Sequence, residues 1–165
     1  MLRNFLIFFF NITFVFSQSL YDNLSFPEKK WVDSIYSSLT TEEKVAQLFN
    51  NWVSPEQSNF DEIKKLVVED KIGGLTFSIG TTKSHVEWLN KFQSLAKTPL
   101  LISMDAEWGP AQRLSDVFAH PWNMTLGAIQ DESLVREISK RMAEQNKALG
   151  CLLYTSDAAD DRICV

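Results

Sequence analysis

PLLISMDAEWGPAQRL, residues 99–114, is an apolar run that ends abruptly in charge. Leu100 to Met104 have the apolar and small side chains of a short strand covered on both faces. Asp105 and Glu107 follow, then Trp108, the turn residues Gly109 and Pro110, and Arg113. An aspartate just past a strand is an ordinary turn former, and Glu107 suits a solvated position or a pair with Arg113. The same residues also suit a ligand. A carboxylate accepts hydrogen bonds from hydroxyls, strengthened by its charge, and an indole ring packs on the apolar face of a sugar. The place of this strand in the chain bears on the choice.

Upstream, IGGLTFSIG (72–80) reads as a second short buried strand after a glycine turn. TTKSHVEWLNKFQSLAK (81–97) predicts an amphipathic helix with Val86, Leu89, Phe92 and Leu95 on one side, Trp88 beside them and His85 on the surface. NFDEIKKLVVEDK (59–71) predicts another, through Phe60, Ile63, Leu66 and Val67. Before it, LFNNWVS mixes apolar residues with asparagine, and a short strand is expected from around Gln47. Thr40 and Glu43 fit a capping box that opens a helix in TTEEKVAQLF. Phe26 to Leu39 recurs at helical spacing through Trp31, Ile35 and Leu39. Downstream, a long helix is expected from near Asp131 to Gly150, a good terminal glycine. The alternation implies βα units on a parallel sheet. An open doubly wound sheet and a (β/α)8 barrel both fit. In each, ligands bind at the carboxyl ends of the strands, which places Asp105 and Glu107 on the functional face.

The gross numbers narrow the classes. With 165 residues, 45% of them hydrophobic, and a net charge of −5, the chain suits one modest domain. Mild acidity with scattered Lys and Arg argues against a nucleic-acid partner. No glycine motif for phosphate and no metal-ligand cluster is read here, so no cofactor is expected. MLRNFLIFFFNITFVFSQS, at the N-terminus, has a basic residue followed by a short apolar run, the layout of a secretory signal peptide ending at Ser17. The run is too short to span a bilayer comfortably. A secreted or periplasmic protein with no stable membrane span after cleavage is therefore expected. Cys151 and Cys164 both lie near the C-terminus, so the body is not a disulfide scaffold.

KIGGLTFSIGT (71–81), residues 99–114 and HPWNMTLGAIQDESLVREISKRMAEQNKALG (120–150), in this order, resemble the N-terminal domain of glycoside hydrolase family 3. The β-N-acetylhexosaminidase-type members are the nearest in pattern. Asp105, Glu107, Gly109, Arg113 and Leu114 match, as do Pro121 and Met124 to Ile129, and the resemblance covers roughly Leu39 to Gly150. Many members have a second glycine and an arginine where Trp108 and Pro110 stand. The resemblance implies the N-terminal portion of a (β/α)8 barrel and retaining hydrolysis of terminal β-N-acetylglucosaminides. A β-glucosidase or β-xylosidase of the same family, or a non-catalytic carbohydrate-binding fragment, is the alternative. It further implies a substrate-binding set of Asp105, Glu107, Trp108 and Arg113. Asp105 would hold hydroxyls at the innermost subsite, and Arg113 would brace the loop by pairing with Glu107.

The catalytic residues implied by the family are a late aspartate nucleophile and a loop histidine acid/base, with a lysine-histidine motif to bind sugar. None of these motifs occurs in the 165 residues, and His120 would at most line the cleft. A complete barrel takes about 250 residues. At Gly150 the composition changes to CLLYTSDAADDRICV (151–165), which resembles translated sequencing-adapter DNA. The expected organisation is a signal peptide (1–17), a partial family 3 domain (18–150) and a non-native tail (151–165). In that tail Asp157, Asp160 and Asp161 form no metal site and Cys151 no redox site. The chain alone is expected to be inactive.

Overall fold

The computed structural model describes residues 20–154. The proposed signal peptide and the tail beyond Tyr154 lie outside them. The chain divides into two compact units, one up to Ser38 and one from Leu39. In the first, a 3-10 turn (Leu20–Asn23) leads into helix α1 (Phe26–Ser38). The Ser25 backbone N–H donates to Glu28 Oε2 at 2.7 Å across the start of α1.

The second unit is a four-stranded parallel sheet in the order β1-β2-β3-β4. Its strands are β1 (Asn50–Val53), β2 (Gly74–Phe77), β3 (Leu101–Met104) and β4 (Leu153–Tyr154). The crossovers carry α3 (Phe60–Lys65), α4 (Thr82–Leu95), and a loop with α5 (Asn123–Gly127) and α6 (Glu132–Ala148). Helix α2 (Thr41–Ala46) precedes β1. Strands that pair in chain order make a sheet wound in one direction. A doubly wound sheet would reverse its strand order, so the sheet has the order of a barrel.

One face of the sheet forms the core. Val53, Leu75, Phe77, Ile102 and Met104 are buried there with Ile63 and Val67 of the α3 segment and Leu89 and Phe92 of α4. Phe60 stacks on Phe92 at 4.8 Å and meets Trp88 edge-on at 5.1 Å, an arrangement that aromatic quadrupoles favour. The opposite face is different. There Thr76 and Ser103 pair in register, and Asn50 lies on the same face two residues before Trp52, the β1 partner of Thr76. Asn50 Nδ2 donates to Ser103 Oγ (3.3 Å), and the Thr76 hydroxyl donates to Asn50 Oδ1 (2.9 Å) while lying 2.8 Å from Ser103 Oγ. This ring of polar groups satisfies its own members.

Local chemistry sets the boundaries. The Thr40–Glu43 capping box forms as expected. The expected strand start at Gln47 is corrected to Asn50, because Gln47 closes α2 and sends its Nε2 to the Lys71 carbonyl at 2.8 Å. Gly73 packs directly on the Gln47 backbone, so any side chain there would collide with it. The helix expected over residues 59–71 is α for one part and a π-turn over Leu66–Asp70 for the rest, ending at Lys71 with φ +57°. On α4 the buried face is His85, Leu89 and Phe92, while Val86 and Leu95 are largely exposed. The expected surface position of His85 is thus corrected: it has no exposed area. Its ring lies 4.3 Å from Phe77 and its Nε2–H donates to the Leu149 carbonyl at 3.0 Å. Burial pushes its pKa down.

Two further features fix the frame. At the amino ends of the strands, the buried Glu43 carboxylate takes Lys71 (2.5 Å) and Lys97 (2.8 Å), which enter β2 and β3. These hydrogen bonds, led by that from Lys71, hold its pKa down at about 2. At the far end of α6, the change in composition at Gly150 is not a break in the chain path. Cys151 is buried, the Leu152 N–H donates to Ile102 O at 3.0 Å, and Leu153 pairs with Ser103.

Candidate functional site

The carboxyl ends of β1, β2 and β3 are tied together. Ser54 Oγ, after β1, donates to the Ile79 carbonyl at 2.8 Å. The chain after β3 swings out over residues 105–113 and returns to bridge Gly80 through Leu114. Gly80 N–H donates to Arg113 O (3.2 Å) and Ser115 N–H to Gly80 O (3.1 Å). Asp116 then caps α4, accepting from the Thr82 N–H (2.8 Å) and hydroxyl (2.6 Å), which lowers its pKa.

Within this loop Ala106, Pro110 and Leu114 are buried and act as anchors, and Gly109 makes the turn. Its φ of +90° is a backbone state that glycine adopts readily. A Cβ there would meet His120 Cδ2 at 3.2 Å and Met142 Cγ at 3.3 Å, so the turn is pressed against α6.

Asp105 sits immediately after β3 with a partly exposed side chain, 37% accessible. Arg113 Nη2 donates to Asp105 Oδ2, and Arg113 Nε donates to the Asp105 carbonyl at 3.2 Å. The arginine therefore grips both the side chain and the backbone of one residue. The expected Arg113–Glu107 pair is corrected: Arg113 pairs with Asp105. Glu107 has no ion pair or hydrogen bond among the described residues, since the Gly109 turn carries the chain away within two residues of it. Asp105 Oδ1 is enclosed and has no hydrogen-bond partner among the described residues, and neither does Gln112 Oε1 in the same loop. An unmet buried acceptor costs about 1–3 kcal/mol.

Trp108 lies three residues beyond Asp105 and is half-buried. It stacks on Trp122, with ring centroids 5.6 Å apart and planes 29° from parallel. Sequence reasoning missed Trp122 and Gln112. An exposed tryptophan two residues after His120 was the available signal for the first, and none was available for the second. A cavity of about 540 Å³ lies nearby, lined by Phe118, His120, Arg141, Glu144, Gln145 and Ala148. None of the four expected site residues lines it. The strand-end loop, with its braced and partly exposed carboxylate, is the stronger candidate on chemistry. His120 is buried and its Nε2 lies 3.1 Å from Gln145 Oε1, a structural role beneath the loop.

A parallel sheet in barrel order, with a braced carboxylate and an indole at its carboxyl end, presents these residues on the face where (β/α)8 scaffolds carry their sites. Residues 40–156 match the glycosyl hydrolase family 3 N terminal domain, and the chain belongs to this family. Its sheet is an incomplete portion of that domain's barrel fold. A glycoside hydrolase family 3 β-N-acetylglucosaminidase from Paenibacillus sp. str. FPU-7 is 31% identical, with a TM-score of 0.62, over 72% of this chain and 24% of that one. A beta-glucoside phosphorylase, BglX, bound to 2FGlc superposes with a TM-score of 0.65 at 22% identity, over 82% of this chain and 24% of that one. A fungal multi-domain family 3 β-N-acetylglucosaminidase gives 0.59 at 23% identity, over 72% of this chain and 15% of that one. The chain thus spans about a quarter or less of these structures. No curated protein is similar enough to match it.

Proposed function

We propose that the protein is an exported retaining β-N-acetylhexosaminidase acting on terminal β-N-acetylglucosaminides, and that these 165 residues hold the sugar while other parts of the full enzyme break the bond. The observation that carries this reading is Asp105, held by Arg113 at the carboxyl end of β3 with its side chain partly open to solvent. A carboxylate so fixed is preorganised to accept sugar hydroxyls by charge-assisted bonds. Trp108, and Glu107 with its free carboxylate, flank it. The 31% identity to a β-N-acetylglucosaminidase supports an N-acetylated sugar. Retaining hydrolysis requires a nucleophile and an acid/base. In this reading neither is supplied by Asp105 or Glu107, so the chain binds without turnover.

Calorimetric titration of the chain with N-acetylglucosamine, glucose and xylose tests this. Saturable binding is expected for N-acetylglucosamine, in preference to the other two, and is lost in Asp105→Ala. Equal or better binding of glucose or xylose would favour a glucosidase or xylosidase instead. Turnover of an aryl N-acetylglucosaminide above a mock-purified control would overturn the division of labour.

A further inference from the structure

The loop that carries Asp105 has two limbs with unequal support. The leading limb follows directly from β3, so the sheet fixes Asp105. Arg113 lies on the returning limb. Bonds to the Pro110 carbonyl from Arg113 N–H (3.0 Å) and Leu114 N–H (2.8 Å) give that limb its shape. The buried Leu114 holds it down, but an apolar anchor is non-directional. Its direction is set at the seam where it runs beside residues 80–82, at the start of α4. Two backbone bonds cross the seam, Gly80 N–H to Arg113 O at 3.2 Å and Ser115 N–H to Gly80 O at 3.1 Å. Both are longer than the usual ~2.9–3.0 Å. Asp116 adds two shorter ones. Its Oδ1 accepts from the Thr82 N–H at 2.8 Å and its Oδ2 from the Thr82 hydroxyl at 2.6 Å. Bonds to an ionised carboxylate are stronger than neutral ones, and this carboxylate meets one of the N–H groups that α4 leaves free in its first turn. The Asp116–Thr82 pair is therefore the strongest tie across the seam.

From this seam we infer that Asp116 is a positioning residue for the sugar site. By lashing the returning limb to the first turn of α4, it holds the Arg113 guanidinium where it grips the side chain and carbonyl of Asp105. A carboxylate already held in one orientation binds a hydroxyl without first losing rotamer freedom. The tie between Asp116 and Thr82 thus sets part of the affinity at Asp105, and it acts through Arg113. The inference rests on the proposed sugar role of Asp105. Each link in it is a hydrogen bond or a short run of backbone: Thr82 to Asp116, Asp116 along the chain to Arg113, and Arg113 to Asp105.

The test titrates N-acetylglucosamine into the full chain and its variants. Asp116→Ala is expected to weaken binding about fivefold, the worth of one carboxylate at a helix start. Thr82→Val removes the shorter bond and should give a smaller loss, while Thr82→Ser keeps the hydroxyl and should restore the affinity. Added to Arg113→Ala, Asp116→Ala should cost nothing further, because no guanidinium is left to place. In the sugar-free chain, the Arg113 Nε–H proton should exchange with water faster in Asp116→Ala, since its bond to the Asp105 carbonyl is loosened. Unchanged affinity in Asp116→Ala would overturn the inference and leave Asp105 standing. Losses that multiply in the Arg113→Ala background, or an unchanged Nε–H exchange rate, would do the same. If Asp116→Ala fails to fold, Thr82→Val decides: a loss that Thr82→Ser does not share supports the tie, and equal affinity in both overturns it. No binding by the unsubstituted chain would overturn the sugar role of Asp105, and the role of Asp116 with it.

Discussion

Gly109→Ala is expected to destabilise the chain by about 2–6 kcal/mol. Gly109 has φ +90° and ψ 173°, a region that costs a side-chain-bearing residue about 1–3 kcal/mol. The new methyl would also sit 3.2 Å from His120 Cδ2 and 3.3 Å from Met142 Cγ, tight enough to add about 1–3 kcal/mol of overpacking. Neither neighbour yields easily, since both are buried. For a chain of this size, each kcal/mol moves the melting midpoint by about 2–4 °C, so a drop of about 4–24 °C is expected. Gly127→Ala is the matched control. It lies in α5 with nothing within 4 Å of a built Cβ, and is expected to be neutral or to stabilise by about 0.5–1 kcal/mol. Thermal and urea melts followed by circular dichroism read both. If the two variants melted alike, the claim that the Gly109 turn is pressed into a backbone state only glycine tolerates would be wrong.

Three other outcomes follow from the same structure. The Glu43 carboxylate, with its pKa down at about 2 against an ordinary 4.5, contributes stability above about pH 4.5 that is lost as pH falls toward 2. The difference in melting midpoint between the unsubstituted chain and Glu43→Gln should therefore be constant above pH 5 and shrink toward pH 2; a difference independent of pH would refute the clamp. The pKa of His85 is lowered by burial, so the ring takes up its proton more readily when the chain is unfolded. Stability should fall as pH drops through its unfolded value near 6.5, and His85→Leu should flatten that part of the profile. Arg113→Ala should weaken N-acetylglucosamine binding about tenfold, by removing charge-assisted bonds that orient Asp105; an unchanged affinity would show that the grip is structural only.

Much of this fold was legible because its signals are local. The Thr40–Glu43 box, the helix starts near Asn59, Thr81 and Asp131, and the apolar strands within 72–80 and 100–104 depend on neighbours in sequence, and they formed where the pattern put them. The strand-end position of Asp105 followed from the same reading. His85 did not, because a titratable side chain on an amphipathic helix reads as polar until Phe77 and Leu149 are seen to enclose it. The partner of Arg113 was equally hidden. Spacing allows Glu107 or Asp105, and only the Gly109 turn selects the latter. The Trp108–Trp122 stack is non-local and has no periodic signature at all.

The central claim is that the loop after β3 holds a sugar through Asp105. Its most direct test is a ¹⁵N-amide titration of the chain with N-acetylglucosamine. Saturable shifts concentrated on residues 105–113 are expected, absent in Asp105→Ala. Shifts confined to the cavity between Phe118 and Ala148, or none at any concentration, would contradict it.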